Sequence, residues 1–563
     1  MKPSRSNVGI DAASTSPARV DTHTKVSWTS TSPERHVAET SSTRRRIGAL
    51  VALLATSLLA GCGALPPRVD DAGSVALAAA ADSPLVALVQ RSAPPPLASG
   101  FRLMPYGSSS LDARIELIRR ARHSLDVQYY LVQNDRTGRL LMRELRDAAL
   151  RGVRVRLLVD DLNTVGGDTM FSGLAAFPNA EVRLFNPFCC ARGSIATRFA
   201  ASLADFRRLN RRMHNKLLVA DGAIAVMGGR NIADEYFARS AASNFVDMDV
   251  LVVGAVVPQL AAIFDTYWNS REAYPVAAVL GSPADAATRR ETFDRLVEEG
   301  EQMRSVTVPP VDMLGHAPIG TEMDSGRLEL EWGTAMAFAD QPAKVTATSV
   351  EAARAMSVQM NILDRMAAAK REVVISSPYL VPGSDGVAAF SHLRRRGVKI
   401  VILTNSFAAN DVPLVHIGYA RYRLPLLRAG VELYELSPSD SGRNPVAAFP
   451  SMSLGRLHAK AAVFDQEMVY IGSVNLDPRS DSSNTELGLF AQCPGLARHV
   501  IGAIDASRVQ SSYQLRLAPD GNALEWRVMR EDSEVVLSSE PEVTPLMRLR
   551  NLVLAPFVPE KLL

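Results

Sequence analysis

From about residue 100 onward, apolar positions alternate between long stretches at helical spacing and short, nearly unbroken runs. The stretch around Ile115–Arg122 is spaced as a helix and leads into an apolar run, Leu125–Val132. Leu140–Leu150 returns to helical spacing, Gly152 is placed to stop it, and Val153–Val159 is again a strand-like run. The same order recurs further on. A helix near Met356–Ala369 precedes a strand at Val373–Ser376; a second helix leads to Arg396, with Gly397 as its stop and a strand at Val398–Thr404. Arg151-Gly152-Val153-Arg154-Val155 and Arg396-Gly397-Val398-Lys399-Ile400 are nearly the same phrase, and each half adds one more strand, Val182–Phe185 and Val431–Tyr434. Strands and helices alternating at this spacing predict an α/β fold of two sandwiches, each a mixed or parallel sheet covered by helices on both faces.

Length agrees with a duplication: 563 residues exceed the roughly 250–300 that one hydrophobic core usually serves. The lobes are expected at 101–280 and 342–517, with 281–341 as an inter-lobe insertion of weak periodicity and 518–563 as a C-terminal extension. In that extension Leu549, Leu552, Val553, Leu554, Phe557 and Val558 are interspersed with Arg548, Arg550 and Lys561. Such a segment either lies on a bilayer surface or packs on a lobe. Hydrophobic residues at 47% and charged residues at 21% are ordinary for a globular protein. The net charge of only +3, with no evident groove of aromatic and basic residues, argues against nucleic acid as a partner.

The N-terminal region reads as an address. Residues 1–43 are polar and Ser/Thr-rich, either a disordered extension or the product of a start codon placed too early. Residues 44–61 open on Arg44-Arg45-Arg46 and continue as the apolar run Ile47–Ala60, shorter than the roughly 20 residues that span a bilayer and laid out as a signal peptide. Leu59-Ala60-Gly61-Cys62 resembles the lipobox of bacterial lipoproteins, which implies cleavage before Cys62 and acylation of that cysteine. Residues 62–100, rich in Ala and Pro through Pro94-Pro95-Pro96, read as a tether. The alternative is that Ile47–Ala60 is a short buried helix and Cys62 a core cysteine. Together these features predict a lipoprotein of the cell envelope on its periplasmic side, and Gly63 after Cys62 suggests outer-membrane sorting. The other cysteines, Cys189, Cys190 and Cys493, have no metal or redox spacing.

The chemistry sits in the repeat. His214-Asn215-Lys216 with Asp221 recurs as His458-Ala459-Lys460 with Asp465, and the offset, 458 − 214 = 244, also relates Gly228 to Gly472 and Asn231 to Asn475. One such motif says little, because a histidine beside an apolar strand is most often structural; two in register, among nine histidines, mark a duplicated site. A phosphodiester is anionic and repels nucleophiles, so Lys216 and Lys460, with amide donors Asn231 and Asn475, fit the task of neutralising its oxygens. A neutral imidazole can attack phosphorus while an opposing imidazolium protonates the leaving oxygen. Each histidine then needs an orienting acceptor, and Asp247 and Glu486 stand at comparable downstream positions, with Asp249 as competitor to Asp247. Asp221 and Asp465 fall at turns, where bonding to backbone amides is their expected task. The paired lysines supply the charge, so no metal and no cofactor is expected.

The doubled motif resembles the HKD signature of the phospholipase D superfamily over about Gly100 to Leu517. Leu184-Phe185-Asn186-Pro187-Phe188, Leu209-Asn210-Arg211-Arg212-Met213, Gly228-Gly229-Arg230-Asn231 and Leu403-Thr404-Asn405-Ser406 with Asn410-Asp411-Val412 look like its cardiolipin synthase branch, the C class above all. The resemblance implies two phospholipase D-like lobes forming one active site at their interface. It further implies His214 as nucleophile, His458 as general acid and then base, Ser473 as a phosphate contact, and phospholipid substrates: phosphatidylglycerol, with phosphatidylethanolamine as a second candidate, taken from a membrane surface. Gly229 departs from the pattern, since the second copy has Ser473 there, so the two half-sites are not equivalent. The same half-reaction serves a hydrolase making phosphatidic acid or a secreted phosphodiesterase or nuclease; a third reading is a non-catalytic lipid-binding lipoprotein. Oligomeric state is not legible.

Overall fold

Ser124–Tyr129, Arg154–Asp160 and Ala180–Phe185 run parallel in a first sheet, and Glu372–Ser376, Lys399–Asn405 and Glu432–Leu436 run parallel in a second. These are the predicted repeats, seen in a computed structural model that describes residues 65, 73–92, 95–202, 205–281, 284–298, 308–443, 453–530 and 533–557. The crossover helices form for matching reasons. Arg136–Leu150 is capped by Asp135, whose side chain accepts from Gly138 N at 2.9 Å, and buries Leu141, Leu145 and Ala148 against its sheet. It ends where Gly152 turns to φ +95°, and Gly383–Arg395 ends likewise before Gly397 at φ +84°, a left-handed conformation that glycine adopts without a Cβ clash.

The motif lysines start, or immediately precede, antiparallel strands laid beside these parallel ones. Lys216–Ala220 pairs with Ser124–Tyr129 so that Lys216 faces Tyr129, and Ala461–Phe464 pairs with Glu372–Ser376. The two sheets are joined by one strand, Glu331–Ala339. Its first three residues pair with Phe101, Gly100 and Ser99, and Thr334–Ala339 pair with Leu487–Gln492, so 18 strands form one continuous ladder. The predicted insertion therefore supplies the seam between the lobes. Its helix Ala286–Glu298 packs Phe293 and Val297 into the first lobe's core.

Two cores take the outer face of each sheet with its crossover helices, and a third takes the inward faces of both sheets together with Val257–Trp268 and Pro494–Gln510. The lobes thus share a core, the architecture of two α/β sandwiches meeting at one interface.

Two expectations about the flanks are corrected. Two parts of the expected tether at 62–100 belong to the first lobe. Pro84–Arg91 forms a helix whose Leu85 and Leu88, three apart on one face, are buried in the first lobe's core, and Ser99–Met104 is a sheet strand. The extension after 517 adds two strands to the second sheet, Leu524–Arg530 and Ser533–Leu537, with Trp526 and Val528 buried. Residues 1–43, 44–61 and Cys62 lie outside the described residues. No helix among the described residues is long and apolar enough to cross a membrane.

Candidate active site

Each histidine is delivered by a strand that pairs with the other lobe. Leu454–Leu457 lies parallel to Ser243–Val246 with Leu457 opposite Val246, so the next residues, His458 and Asp247, emerge side by side. In the other half-site Met213 bridges Thr485 in parallel, and His214 and Glu486 emerge together. Backbone bonds fix both registers: His458 N donates to Val246 O at 2.8 Å, and His214 N donates to Thr485 O at 2.8 Å. The result is crossed orientation. His214 Nδ1 lies 2.9 Å from Glu486 Oε2 of the second lobe, and His458 Nδ1 lies 2.7 Å from Asp247 Oδ2 of the first.

An Nδ1–H donated to a buried carboxylate leaves the Nε2 lone pair as the reactive nitrogen of a neutral ring. Both rings are buried, with Tyr130 edge-on to His214 at 5.3 Å and Tyr236 edge-on to His458 at 5.2 Å between ring centroids. Burial, reinforced by Lys216, pushes His214 down to about 4, against the pull of Glu486. Burial with Lys460 and Lys216 pushes His458 well below its ordinary value. The lysines are buried too. Each Nζ donates to the carbonyl of its own histidine, at 2.5 Å from Lys216 to His214 O and 2.6 Å from Lys460 to His458 O. Burial pushes Lys216 well below the ordinary lysine value and brings Lys460 down to about 8, in both cases against Glu486 and Asp247, which hold the charge. Two concentrated positive charges beside two neutral imidazoles suit an anionic phosphodiester that is to be attacked.

The aspartates of the motifs do not reach this cleft. Asp221, at φ +49°, accepts from the amides of Arg122, His123 and Ser124 and from Ser83 Oγ. Asp465, at φ +54°, accepts from those of Lys370, Arg371 and Glu372. Each ties the end of the motif strand to the start of its antiparallel neighbour, a structural duty. Asp249, the competitor to Asp247, is likewise structural, bound by Ser110, Arg114 and Arg230 within the first lobe.

Asn231 donates to Tyr236 OH at 3.0 Å, and the Oδ1 atoms of Asn231 and Asn475 are buried without a partner among the described residues. The unpartnered end of each amide is an acceptor, which a phosphate oxygen cannot bond, and the donor expected of Asn231 is spent on Tyr236. Ser473, expected to contact phosphate, has its hydroxyl committed elsewhere: it donates to Glu486 Oε2 and accepts from Leu487 N at 2.9 Å. Gly229 takes that place in the first half-site because Asp247 is close; a Cβ there would lie 2.1 Å from Asp247 Oδ1. Ser473 with the longer Glu486, and Gly229 with the shorter Asp247, are two solutions to one spacing problem.

Several positioning residues escaped the sequence reading. Asp160 ends one parallel strand and accepts from Met213 N at 2.8 Å and Arg212 Nη1 at 3.0 Å; burial raises it to about 6, against the pull of Arg212. Asn405 ends the equivalent strand and holds Leu457 by both its N and its O, at 2.8 and 2.9 Å. Asp340 and Lys344 form a fully buried pair at 2.7 Å. Asp340 accepts from Glu486 N at 3.0 Å, and Lys344 donates to the carbonyl of Ser480, whose hydroxyl donates to Glu486 Oε1. The signal available for Asp160 and Asn405 was their shared place at the end of the repeated strand; Asp340 lies outside the repeat and carried none. Away from the cleft, His316, Glu322 and Glu329 group within 4.8 Å, but Arg102 Nη1 at 3.0 Å from Glu322 already supplies a cation there.

Comparison with known proteins points the same way. A family described as "Cardiolipin synthase, PLD-like domain" matches residues 114–268 and 362–506. The chain is 40% identical over 438 residues to cardiolipin synthase C of Escherichia coli (strain K12), covering 77% of this chain and 90% of that one. It is 25% identical over 395 residues to cardiolipin synthase 2 of Staphylococcus epidermidis (strain ATCC 35984), covering 70% and 64%. A crystal structure of phosphatidylserine synthase from Haemophilus influenzae Rd KW20 superposes with a TM-score of 0.52 at 13% identity, covering 86% of this chain and 97% of that one.

Gly229→Ser tests the spacing argument. The added Cβ must displace Asp247 from His458, so turnover is expected to fall about a hundredfold, the scale of a disturbed acid–base group. Ser473→Gly removes a bond to Glu486 but adds no clash and is expected to fall less. Steady-state rates of both variants check the order.

Proposed function

Because this chain belongs to the phospholipase D superfamily, in its cardiolipin synthase branch, and is a phosphatidyltransferase acting on phospholipids, we propose that it makes cardiolipin through a phosphohistidine. The observation that carries the chemistry is the pair of buried, neutral imidazoles, each held by a carboxylate from the opposite lobe. In this reading His214 Nε2 attacks the phosphorus of a phospholipid and the bond from phosphorus to the headgroup oxygen breaks. His458, as imidazolium, gives that oxygen its proton. The headgroup alcohol departs; the glycerol hydroxyl of phosphatidylglycerol enters, loses its proton to His458 and displaces His214, forming cardiolipin. Phosphatidylglycerol or phosphatidylethanolamine serves as phosphatidyl donor.

His458 is held neutral while the cleft holds only the lysine charges. Burial is the largest cause of its lowered pKa and the lysine charges add to it; a phosphodiester anion arriving between Lys216 and Lys460 offsets the added part and so favours the protonated ring that must donate. Substrate binding and the readiness of the acid are thereby coupled. The proposed address is the periplasmic side of the cell envelope, with Cys62 acylated and the enzyme at the outer membrane; more than one acyl chain gives stable anchorage.

Lipid mass spectrometry tests the reaction. The purified protein, incubated with phosphatidylglycerol alone and with phosphatidylethanolamine added, is expected to form cardiolipin, and its His214→Ala variant none; release of phosphatidic acid alone by the parent would refute transfer. The same assay against pH tests the electrostatics. With burial lowering both lysines, Lys460 to about 8 and Lys216 well below its ordinary value, kcat/KM is expected to fall as pH rises, and Lys460→Arg, always protonated, to leave only the limb set by Lys216.

A further inference from the structure

The helix Pro545–Leu554 has ten residues and none is buried. Leu546, Leu549, Leu552 and Val553 are exposed by 75%, 57%, 74% and 57%. At about 100° per residue these four fall on one arc of roughly 120°. Arg550 borders the arc on one side and Arg548 on the other. The less exposed residues, Met547, Asn551 and Leu554, lie on the opposite side, turned toward the lobe.

This helix is fixed to the protein by polar bonds at both ends, so its outward apolar face is held in place. At its start Thr544 caps it, accepting from Met547 N at 3.3 Å. Just before, Glu540 is gripped by His416 Nε2 at 3.0 Å and by Arg423, and Arg548 donates to Glu540 O at 3.3 Å. At its end Ala555 O accepts from Arg421 at 3.1 Å. His416 belongs to the helix Pro413–Ala420, against which Pro545–Leu554 packs. That neighbour adds exposed Leu414 at its own first turn, beside exposed Val412. One residue earlier, Asp411 accepts from Tyr379 OH at 2.9 Å and stands close enough to Lys460 to help hold its charge. The apolar face therefore continues toward the rim of the catalytic cleft.

We propose that Pro545–Leu554, with Val412 and Leu414, is the surface by which this enzyme docks on an anionic phospholipid bilayer, its leucines set among the acyl chains and Arg548 and Arg550 at the headgroup phosphates. This rests on the phospholipid reading of the active site and says where the bilayer meets the protein. An apolar arc bordered by arginines on both sides is what an in-plane helix requires: the stems of the arginines lie along apolar surface while their guanidinium groups reach phosphate. A core-packing helix, by contrast, would bury its leucines, and here Leu546, Leu549 and Leu552 face away from the lobe while none of its residues is buried. Docking at this face holds the bilayer edge next to Asp411, so a headgroup has a short path to Lys460 and the histidines. It also leaves any N-terminal anchor free of the task of orientation.

The test uses the full chain in two forms. Leu552→Trp places a fluorophore on the arc; its added emission is expected to be quenched by phosphatidylglycerol vesicles carrying bromine high on the acyl chains. No quenching of that emission overturns the proposal, as does a spectral change that needs no vesicles and grows with protein concentration, which would mark a second copy of the chain as the occupant. Leu549→Glu with Leu552→Glu is expected to slow turnover of lipid in vesicles about tenfold or more while leaving turnover of short-chain, monomeric phosphatidylglycerol unchanged. Unchanged turnover of both forms, or equal loss of both, contradicts the assignment. Absence of turnover by the parent would defeat the reading of the active site, and the quenching measurement would still decide the docking face.

Discussion

Neither lobe of this molecule can orient its own histidine. His214 depends on Glu486 and His458 on Asp247, across the interface in both directions. A buried carboxylate without a partner costs several kcal/mol, and each hydrogen bond to such a charged group contributes about 1.5–3 kcal/mol. Separating the lobes would strand two carboxylates and two imidazoles at once. The parallel pairing of Leu454–Leu457 with Ser243–Val246, and of Met213 with Thr485, creates both contacts by a single geometric rule. The strand before each histidine lies beside the strand before the opposite carboxylate. The seam strand Glu331–Ala339 and the shared inner core serve this arrangement by keeping the two registers aligned.

The electrostatics follow from the same burial. A cleft closed enough to bury both histidines also buries both lysines; burial first, and the lysine charges after it, push both rings below their ordinary value. A single site made from two copies has no need to be symmetric, and this one is not. Gly229 leaves the room that Asp247 occupies, whereas the Ser473 hydroxyl bonds Glu486. Glu486 is braced further by the Ser473 and Ser480 hydroxyls and through the Asp340–Lys344 pair, Asp247 by the amide of Met248 at 2.7 Å.

Much of this was legible in the residues. The repeat of helix, strand, helix, strand showed in apolar spacing because both faces of these sheets are covered, and the motif repeat showed because its offset is constant. The crossing was not legible. The orienting carboxylates are separated by 486 − 247 = 239 positions where the histidines are separated by 244, so they fall out of register with the motif. Their true alignment appears only in the ladder, where Gly228 faces Asp249 and Gly472 faces Gly488. Glu331–Ala339 was hidden because both its partners are distant in sequence. Pro84–Arg91 was hidden because Ala- and Pro-rich composition outweighed the two buried leucines that dock it. Ser473 shows the limit of reading roles from residue type: a hydroxyl beside a phosphate site serves the carboxylate instead.

The crossed arrangement is tested most directly with a phospholipid whose headgroup is p-nitrophenol, a leaving group that departs without a proton and so isolates the attack on phosphorus. The burst of nitrophenolate then reports the nucleophilic histidine alone. If His214 in the first lobe is oriented by Glu486 in the second, Glu486→Gln slows the burst by about a hundredfold, while Asp247→Asn leaves it within about threefold of the parent. With His214→Ala abolishing the burst and so marking His214 as the nucleophile, a burst that follows Asp247 and ignores Glu486 would contradict the account.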